Sequence, residues 1–224
     1  MAGRVADIHY LIPKYKLQIH SEHFQKVSHN LLGVKGAKIK DIKTVRSHSQ
    51  AIDQCRKIIS NNNFKTIISA DTAGSAKYVS EKNDITESAI ASELAAKIYN
   101  LEILKSNVED EFGNTTRFLI LQKDSIHPKL GDKKYITSCI FKLKSIPAAL
   151  YKALGGFATN GVNLCKLESF SIKNTFDQVN FYIDIEGHIE DISLQKALEE
   201  LGFHTQKLDI LGIYEAHPFR SKNK

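Results

Sequence analysis

Two segments of the chain place hydroxyl groups and backbone amides where a helix is expected to begin. They are Ser47-His48-Ser49-Gln50 and Asp71-Thr72-Ala73-Gly74, and each follows a short apolar run. The first turn of a helix carries unpaired N–H groups and a partial positive charge, so two such turns facing one cleft would suit a carboxylate ligand. The alternative is that Ser47 and Thr72 simply cap their helices, which is a common role for serine and threonine.

A third polar segment, Asn114-Thr115-Thr116-Arg117-Phe118, lies at the start of a predicted strand. The planar guanidinium of an arginine fits a carboxylate, and a threonine hydroxyl can donate a proton or a hydrogen bond. An arginine beside a strand is also commonly a surface ion-pair residue. The spacing alone leaves both interpretations open.

Other chemistries find little support in the sequence. The nine histidines include no HExxH pattern and the three cysteines no CxxC pair, so we expect no metal site. No glycine-rich phosphate loop follows a predicted strand. The net charge of +6 comes from lysines interleaved with acidic residues along the whole chain, so we expect no nucleic acid as a partner.

The composition is that of a globular cytoplasmic protein. The 224 residues are 42% hydrophobic and 25% charged, which favours two small domains. No apolar run reaches the roughly 18 to 20 residues of a membrane span, and the start lacks the core of a signal peptide, so we expect no membrane association. Cys55, Cys139 and Cys165 are odd in number and far apart, which indicates a reducing compartment without disulfides.

The elements that must position the polar segments alternate between strand and helix in the front half. Apolar runs at 42–45 and 66–70 precede helical patterns at 49–59 and 73–81, which predicts a parallel or mixed sheet covered on both faces. A further helix is predicted at 93–99 and a further strand at 117–122.

The back half follows a different order. From Tyr135 onward the pattern is strand, helix, strand, strand, helix, strand, which is the ferredoxin-like split arrangement. Residues 179–186 alternate between apolar and polar side chains, so we predict a half-buried strand. Gly202 follows an apolar helical stripe at 194–201, where a left-handed cap residue is expected.

Taken together, these segments resemble a known family. Thr116-Arg117-Phe118 is similar to the Thr-Arg-Phe signature of prephenate dehydratases, at the expected place ahead of a regulatory domain. Further segments resemble the family in order and spacing over nearly the whole chain: Gly3-Arg4-Val5-Ala6-Asp7-Ile8-His9, Thr44-Val45-Arg46-Ser47-His48, Gln50-Ala51 with Gln54-Cys55, Ala70-Asp71-Thr72-Ala73-Gly74-Ser75-Ala76 and Asn107-Val108-Glu109-Asp110.

The resemblance implies a fold and domain boundaries. Residues 1–122 correspond to a partial dehydratase domain, one α/β lobe of a periplasmic-binding-protein-like pair. A linker is expected at 123–134 and an α+β ferredoxin-like ACT regulatory domain at 135–219. Residues 220–224 form a basic tail that we expect to be disordered.

The resemblance also implies an activity. Family members convert prephenate to phenylpyruvate, water and carbon dioxide in phenylalanine biosynthesis, and no cofactor is implied. Thr116 would supply the hydroxyl nearest the leaving group and Arg117 would pair with a substrate carboxylate. The residues expected to bind substrate are Ser47, Gln50, Gln54, Thr72, Ala73 and Asn114.

The C-terminal part resembles the ACT domain of phenylalanine-regulated members. Pro147-Ala148-Ala149-Leu150-Tyr151 matches their Gly-Ala-Leu motif except that Ala148 replaces the glycine. Leu167-Glu168-Ser169-Phe170 matches their Glu-Ser-Arg-Pro motif in its first two residues. The resemblance implies L-phenylalanine as allosteric effector, a homodimer, and effector contacts from Ala148, Ala149, Leu150, Asn160, Asn163, Leu164, Glu168 and Ser169.

The chain departs from the family at its start, because members normally have a further lobe before the segment that matches residues 2–5. Two hypotheses follow. The protein is a prephenate dehydratase completed by an upstream segment or by a separate chain that supplies the missing lobe, as in a split enzyme. Alternatively, it is a catalytically inactive fragment that acts only as an amino-acid-binding ACT module.

Overall fold

The computed structural model describes residues 8–111, 113–124, 126–171 and 179–222, and these form two compact units. One unit comprises Gln25–Thr116, and the other combines residues 8–24 with the described residues from 117 to 222. Within the described chain the backbone therefore passes between units after Phe24 and after Thr116. The predicted domain boundaries at 122 and 135 stay a prediction. The contacts place residues 117–122 in the second unit.

The first described elements are helix α1 (Ile8–Lys14) and strand β1 (Gln18–Lys26). The first unit then has five strands: β2 (Asn30–Gly33), β3 (Thr44–Ser47), β4 (Lys65–Ile68), β5 (Glu87–Ala91) and β6 (Glu102–Lys105). Its helices are α2 (Ser49–Gln54), α3 (Arg56–Asn61), α4 (Thr72–Lys82) and α5 (Glu93–Ile98).

The sheet of the first unit is mixed, as predicted, with the strand order β4-β3-β5-β2-β6. Strand β3 pairs in parallel with β4 and β5, whereas β2 pairs antiparallel with β5 and β6. All five residues of β5 are buried. Leu31, Val45 and Ile90 have no exposed surface, and burying a side chain of this kind stabilises the fold by about 1.5–3 kcal/mol.

The helix predicted at 49–59 is divided in two at Cys55, whose backbone is not helical (φ −124°, ψ 31°). A second helix starts there because the Asp110 carboxylate accepts hydrogen bonds from the backbone amides of Arg56 (3.0 Å) and Lys57 (2.9 Å). A carboxylate caps a helix start well, since it meets unpaired amides and a partial positive charge. The cap lies more than 50 residues away along the chain, so no local pattern could reveal it.

The second unit continues with β7 (Thr115–Gln122), β8 (Tyr135–Leu143), α6 (Ala149–Thr159), β9 (Leu164–Ser171), β10 (Val179–Glu186), α7 (Ile192–His204), β11 (Thr205–Glu215) and α8 (Phe219–Lys222). Four of these strands form an antiparallel sheet in the order β11-β8-β10-β9, which confirms the predicted ferredoxin-like arrangement. The cap predicted at Gly202 is wrong, because α7 continues past it to His204.

The four-stranded sheet is covered on both faces. Helices α6 and α7 pack on one face through residues such as Phe157 and Leu201. On the other face, Ile12 of α1 and Ile19 of β1 pack with Tyr182 and Tyr214. The strand predicted at 179–186 is confirmed as β10, but its predicted half-burial is wrong, because the polar face is buried as well.

Strands β1 and β7 pair with each other in a separate two-stranded sheet. The expected disordered tail is wrong for residues 220–222, which lie in α8, while 223 and 224 lie outside the described residues. None of the described helices combines the length and apolar character needed to span a bilayer.

Gly212 permits the close approach of β1 to the sheet. A β-carbon at this position would overlap the backbone carbonyl of Ile19, and the ladder between β11 and β8 shifts register there. We predict that Gly212→Ala lowers the free energy of unfolding by about 2–3 kcal/mol, since backbone cannot yield as a side chain would. Gly202→Ala is the matched control: it meets nothing within 4 Å and should be neutral or stabilising. Equal stability of the two variants in chemical denaturation would contradict this packing.

Candidate functional site

Polar residues gather at one edge of the first unit's sheet. Because β3 runs parallel to β4 and β5, the carboxyl ends of all three strands lie at the same edge, and each strand is followed by a helix. Strand β2 begins there, with Asn30 opposite Ala91 of β5. We call this the carboxyl edge of the sheet. Such an edge is where open α/β sheets commonly bind ligands.

The helix starts at the carboxyl edge are capped by residues other than those expected. Asp71 caps α4, with its carboxylate accepting from the Gly74 amide (2.6 Å), and His48 caps α2 through Nδ1, which accepts from the Gln50 amide (3.3 Å). The cap interpretation of Ser47 and Thr72 is therefore wrong. In each case the neighbouring residue makes the cap.

The predicted substrate-binding residues differ in what they expose. Ser47 is fully buried, and its hydroxyl donates to the Ile90 carbonyl (2.6 Å), so it joins β3 to β5. Gln50 is exposed on α2. Thr72 and Ala73 lie in the first turn of α4, with Thr72 half-buried and Ala73 exposed. Backbone amides of a first helical turn have no partner within the helix, so this turn suits an anion better than the Ser47 hydroxyl does.

Gln54 is the centre of a hydrogen-bonded cluster. Its Oε1 accepts from Nδ2 of Asn114 (2.9 Å) and from Nε2 of His29 (2.8 Å). An amide oxygen can only accept, so the network assigns the proton of the His29 ring to Nε2. The buried Glu109 accepts from the His29 backbone amide (3.0 Å). We call His29, Gln54 and Asn114 the amide cluster.

In the amide cluster, the Nε2 group of Gln54 provides hydrogen-bond donors that point away from the other members. Because both bonds go to Oε1 of Gln54, its Nε2 group is oriented away from them, and the described residues offer it no hydrogen-bond acceptor. An amide NH₂ group in this position can donate to a carboxylate or a hydroxyl. The cluster also holds Asn114, whose carbonyl accepts from the Val27 amide (2.8 Å), two residues before the exposed Thr116.

Sequence reasoning missed His29 and Glu109. They lie 25 and 55 positions from Gln54 along the chain. Glu109 stands in the segment Asn107-Val108-Glu109-Asp110 that resembles the family, but no role was predicted for either residue. Only the pairing of β2 in the middle of the sheet brings His29 to the carboxyl edge.

Arg117 belongs to the second unit and has partners within the protein. Its Nε donates to Glu22 (2.7 Å), its Nη1 to Asp184 (2.5 Å) and its Nη2 to the Tyr214 hydroxyl (2.7 Å). All three guanidinium nitrogens are thereby engaged. The expected contact of Arg117 with a substrate carboxylate is corrected to an internal ion pair. The reason is strand alternation, which sends Thr116 and Arg117 to opposite faces of β7.

A second arginine joins the same group. Arg220 of α8 donates through Nε (2.6 Å) and Nη2 (2.8 Å) to the two carboxylate oxygens of Glu22. The side chains of Glu22 and Asp184 have no exposed surface, and each arginine exposes 17%. We call Glu22, Arg117, Asp184, Tyr214 and Arg220 the charge cluster.

Burial and charge act against each other in the charge cluster. Burial raises the pKa of the Glu22 carboxyl, but hydrogen bonds from Arg220 and the charge of Arg117 outweigh it, and that pKa lies below its ordinary value. Burial also opposes ionisation of Asp184, yet the charge of Arg117 brings its pKa below the ordinary value. Burial and the Asp184 carboxylate raise the pKa of Tyr214, so this phenol stays protonated.

The predicted effector residues lie at two ends of the second unit's sheet. Ala148, Ala149 and Leu150 follow the end of β8 and open α6. Glu168 and Ser169 lie late in β9, which runs in the same direction as β8 because both are antiparallel to β10. Those at the opposite end, where α6 closes and β9 begins, are Asn160, Asn163 and Leu164. One chain does not bring all eight together.

Comparison with known proteins decides the family. The family model described as prephenate dehydratase matches residues 1–126. A bifunctional N-acyl-homoserine lactone acylase/prephenate dehydratase of Komagataeibacter europaeus is 43% identical over 222 residues, which are 99% of this chain and 79% of that protein. The chain belongs to the prephenate dehydratase family.

Other members of the prephenate dehydratase family are longer than this chain. An arogenate dehydratase/prephenate dehydratase of Arabidopsis thaliana is 38% identical over 229 residues, which are 96% of this chain and 58% of the relative. The crystal structure of the Arthrobacter aurescens prephenate dehydratase in complex with L-Phe has a TM-score of 0.81 at 26% identity, covering 93% of this chain and 71% of that one. The first unit and the ferredoxin-like sheet are the α/β and ACT portions of this family's fold.

The family's glycine before α6 has a structural explanation here. Ala148 is the residue that precedes the helix, and its backbone is left-handed (φ 57°, ψ 28°). A left-handed conformation costs an L-residue roughly 1–2 kcal/mol, and glycine avoids that cost. We predict that Ala148→Gly raises the free energy of unfolding by about 1 kcal/mol, whereas Ala149→Gly, inside the helix, lowers it. A less stable Ala148→Gly protein in denaturant titrations would rule out the strained backbone.

The charge cluster predicts a loss of stability in acid. The pKa values of Glu22 and Asp184 in the folded protein lie below the ordinary values of about 4. The stabilisation of the folded state by the ionised Glu22 and Asp184 is therefore fully present above about pH 5. It is lost as the pH falls through the pKa values of these carboxyls in the folded protein. We expect the free energy of unfolding to fall by at least about 1 kcal/mol between pH 6 and pH 3.

Glu22→Gln provides the control for this pH dependence. The variant should be less stable at pH 7 and should lose less further stability on acidification, because one titrating group is gone. Denaturant titrations of both proteins across this pH range measure the difference. Identical pH slopes would show that the buried carboxylates do not stabilise the fold.

Proposed function

We propose that this protein acts in the conversion of prephenate to phenylpyruvate, water and carbon dioxide, with the first unit binding substrate and Thr116 donating to the leaving hydroxyl. The observation that carries the proposal is the amide cluster. It ties Asn114, two residues before Thr116, to Gln54 at the carboxyl edge of the sheet. Membership of the prephenate dehydratase family supplies the reaction.

The reaction requires the protein mainly to position the substrate and to supply polar groups around it. As the carboxylate leaves as carbon dioxide, its electron pair enters the ring, and the hydroxyl departs from the opposite carbon with a proton. Aromatisation drives the step, and no cofactor is required. A positioned donor such as the Thr116 hydroxyl typically contributes a factor of about 10²–10⁴, and oriented groups contribute more. Nε2 of Gln54 and the first turn of α4 would hold the substrate carboxylates.

We propose that a further segment completes this site, either upstream in the polypeptide or on a separate chain. Among the described strands β7 has only β1 as a neighbour, and Phe118 and Ile120 expose 52% and 48% of their surface on alternate positions. An apolar strand face with an unpaired edge favours association. The match covers 58% of the Arabidopsis thaliana relative, which leaves room for such a segment in that protein.

We propose L-phenylalanine as the effector and a homodimer as the assembly. A solved relative holds L-Phe. The predicted effector residues of one chain lie at two ends of its sheet, so a site built from two chains would use both sets. Among the described strands β9 is at the edge of the sheet, with Leu167 exposed. The free thiols Cys55, Cys139 and Cys165 agree with a cytoplasmic location.

The role of Thr116 is tested by phenylpyruvate formation from prephenate. We predict that Thr116→Ala lowers kcat by about 10²–10⁴ and that Thr116→Ser keeps most of it, because the hydroxyl is retained. Thr115→Ala is the matched control: the Thr115 hydroxyl already donates to the Gly113 carbonyl (3.0 Å), so kcat should stay within about threefold. Unchanged turnover in Thr116→Ala would remove the assigned role.

The same preparation separates the two hypotheses about the whole protein. A 224-residue chain that forms phenylpyruvate is an enzyme as it stands. A chain that forms none, but regains activity with the missing lobe added as a second polypeptide, is half of a split enzyme. Binding of phenylalanine in calorimetry without turnover under either condition identifies an amino-acid-binding module.

A further inference from the structure

The residues after the last strand of the sheet lie along β1. The backbone amide of His217 donates to Oε1 of Glu22 (3.1 Å), and Arg220 donates to both oxygens of the same carboxylate. Phe219 stacks on Phe24 with ring centroids 4.8 Å apart. An ion pair, a backbone hydrogen bond and an aromatic contact therefore bind the segment from 217 to 222 to β1.

The charge cluster is balanced only when Arg220 is counted. Glu22 and Asp184 are two fully buried carboxylates, and Arg117 supplies one positive charge. Without Arg220 the cluster would hold an uncompensated buried negative charge, which is strongly unfavourable. Nη2 of Arg220 also lies 3.8 Å from Asp184, so it serves both carboxylates.

Arg117 is the next residue in the chain after Thr116. Its three nitrogens fix the direction of β7 at this point, and Glu22 is the acceptor that it shares with Arg220. On the other side of Thr116 the chain is held at Asn114 by the amide cluster. Thr116 therefore lies between two anchored residues, one of which depends on Glu22.

We propose that Arg220 is a positioning residue for the dehydratase reaction: by holding the Glu22 carboxylate, it fixes Arg117 and with it the start of β7 that carries Thr116. The catalytic part of this inference rests on the proposed function. The low pKa of Glu22 supports it, since Arg220 is the leading cause that lowers that pKa. The charged and titratable groups around Glu22 and Arg220 are Arg117, Asp184, Tyr182, Tyr214, Cys165 and His217, whose backbone amide donates to Glu22.

The test compares Arg220→Gln, Arg220→Lys and a control, Lys133→Gln. Lys133 is a cation of the same unit that pairs with Glu215 in solvent, outside the charge cluster. We measure phenylpyruvate formation across pH and the backbone amide signals of residues 115–118 by NMR. Arg220→Gln should lower kcat by about tenfold or more with KM within about twofold, because the reacting group is misplaced. Lys133→Gln should match the wild type.

The pH profile separates positioning from a general loss of stability. With Arg220 removed, the Glu22 carboxyl needs a higher pH to ionise, so the acid limb of kcat should move to higher pH. Arg220→Lys keeps the charge but not the two-pronged contact, and should leave kcat about threefold below that of the wild type. A folded Arg220→Gln protein with wild-type kcat, pH profile and Thr116 amide signal would overturn the inference.

Two outcomes remain decisive when one arm of the experiment fails. If the wild type forms no phenylpyruvate with or without the completing segment, the proposed function fails, and the Thr116 signal alone decides: a shift in Arg220→Gln and none in Lys133→Gln supports the inference, and unchanged signals overturn it. If Arg220→Gln does not fold, Arg220→Lys takes its place. A kcat about threefold below wild type then supports positioning, and an unchanged kcat contradicts it.

Discussion

The packing of the second unit depends on two carboxylates that have no exposed surface. Glu22 and Asp184 can stay buried and ionised only if positive groups of good geometry reach them. Those groups, Arg117 and Arg220, come from a strand and a C-terminal helix that are remote from each other in the chain. The need to neutralise buried charge therefore ties β1, β7 and α8 to a sheet that could otherwise leave one face to solvent. The close approach at Gly212 belongs to the same packing, because it lets β1 reach the sheet.

The first unit depends on a different, neutral interaction. Strands β3, β4 and β5 are parallel, so the helices that follow them all begin at the carboxyl edge of the sheet. The amide cluster joins that edge to the segment before Thr116. Hydrogen bonds between neutral groups are weaker than buried ion pairs but orient their members well, since an amide oxygen and an amide nitrogen are not interchangeable. The threonine of the Thr-Arg-Phe signature thus lies in the unit that contains the amide cluster, and the arginine lies in the unit that contains the charge cluster.

Sequence reasoning succeeded where local periodicity and tertiary burial agree. The order of elements from Tyr135 onward and the mixed sheet of the front half were predicted from alternation and helical spacing. Strands β2, β5 and β6 were missed because they are only four or five residues long, and β2 and β5 are buried on both faces, so they show no alternation. The second buried face of β10 was missed because its covering elements, α1 and β1, come from the other end of the chain.

The candidate site was predictable in its location but not in its roles. Spacing identified the first turn of α4 and the segment that contains Asn114, the resemblance to the family added Gln54, and the structure places all three in the first unit. The same spacing could not show that Ser47 faces inward or that Arg117 has protein partners, because both depend on which face of a strand is covered. Ala148 was predicted only as an effector contact, although the family glycine that it replaces could have indicated its left-handed backbone.

The central claim is that Arg117 is an internal partner of Asp184 in a buried ion pair. A double-mutant cycle with Arg117→Gln, Asp184→Asn and the combined variant measures this directly through the free energy of unfolding, whether or not the chain turns over substrate. The structure predicts a coupling energy of about 2–3 kcal/mol, with the double variant more stable than the single losses imply. A coupling energy below about 0.5 kcal/mol would contradict it and would return Arg117 to the substrate.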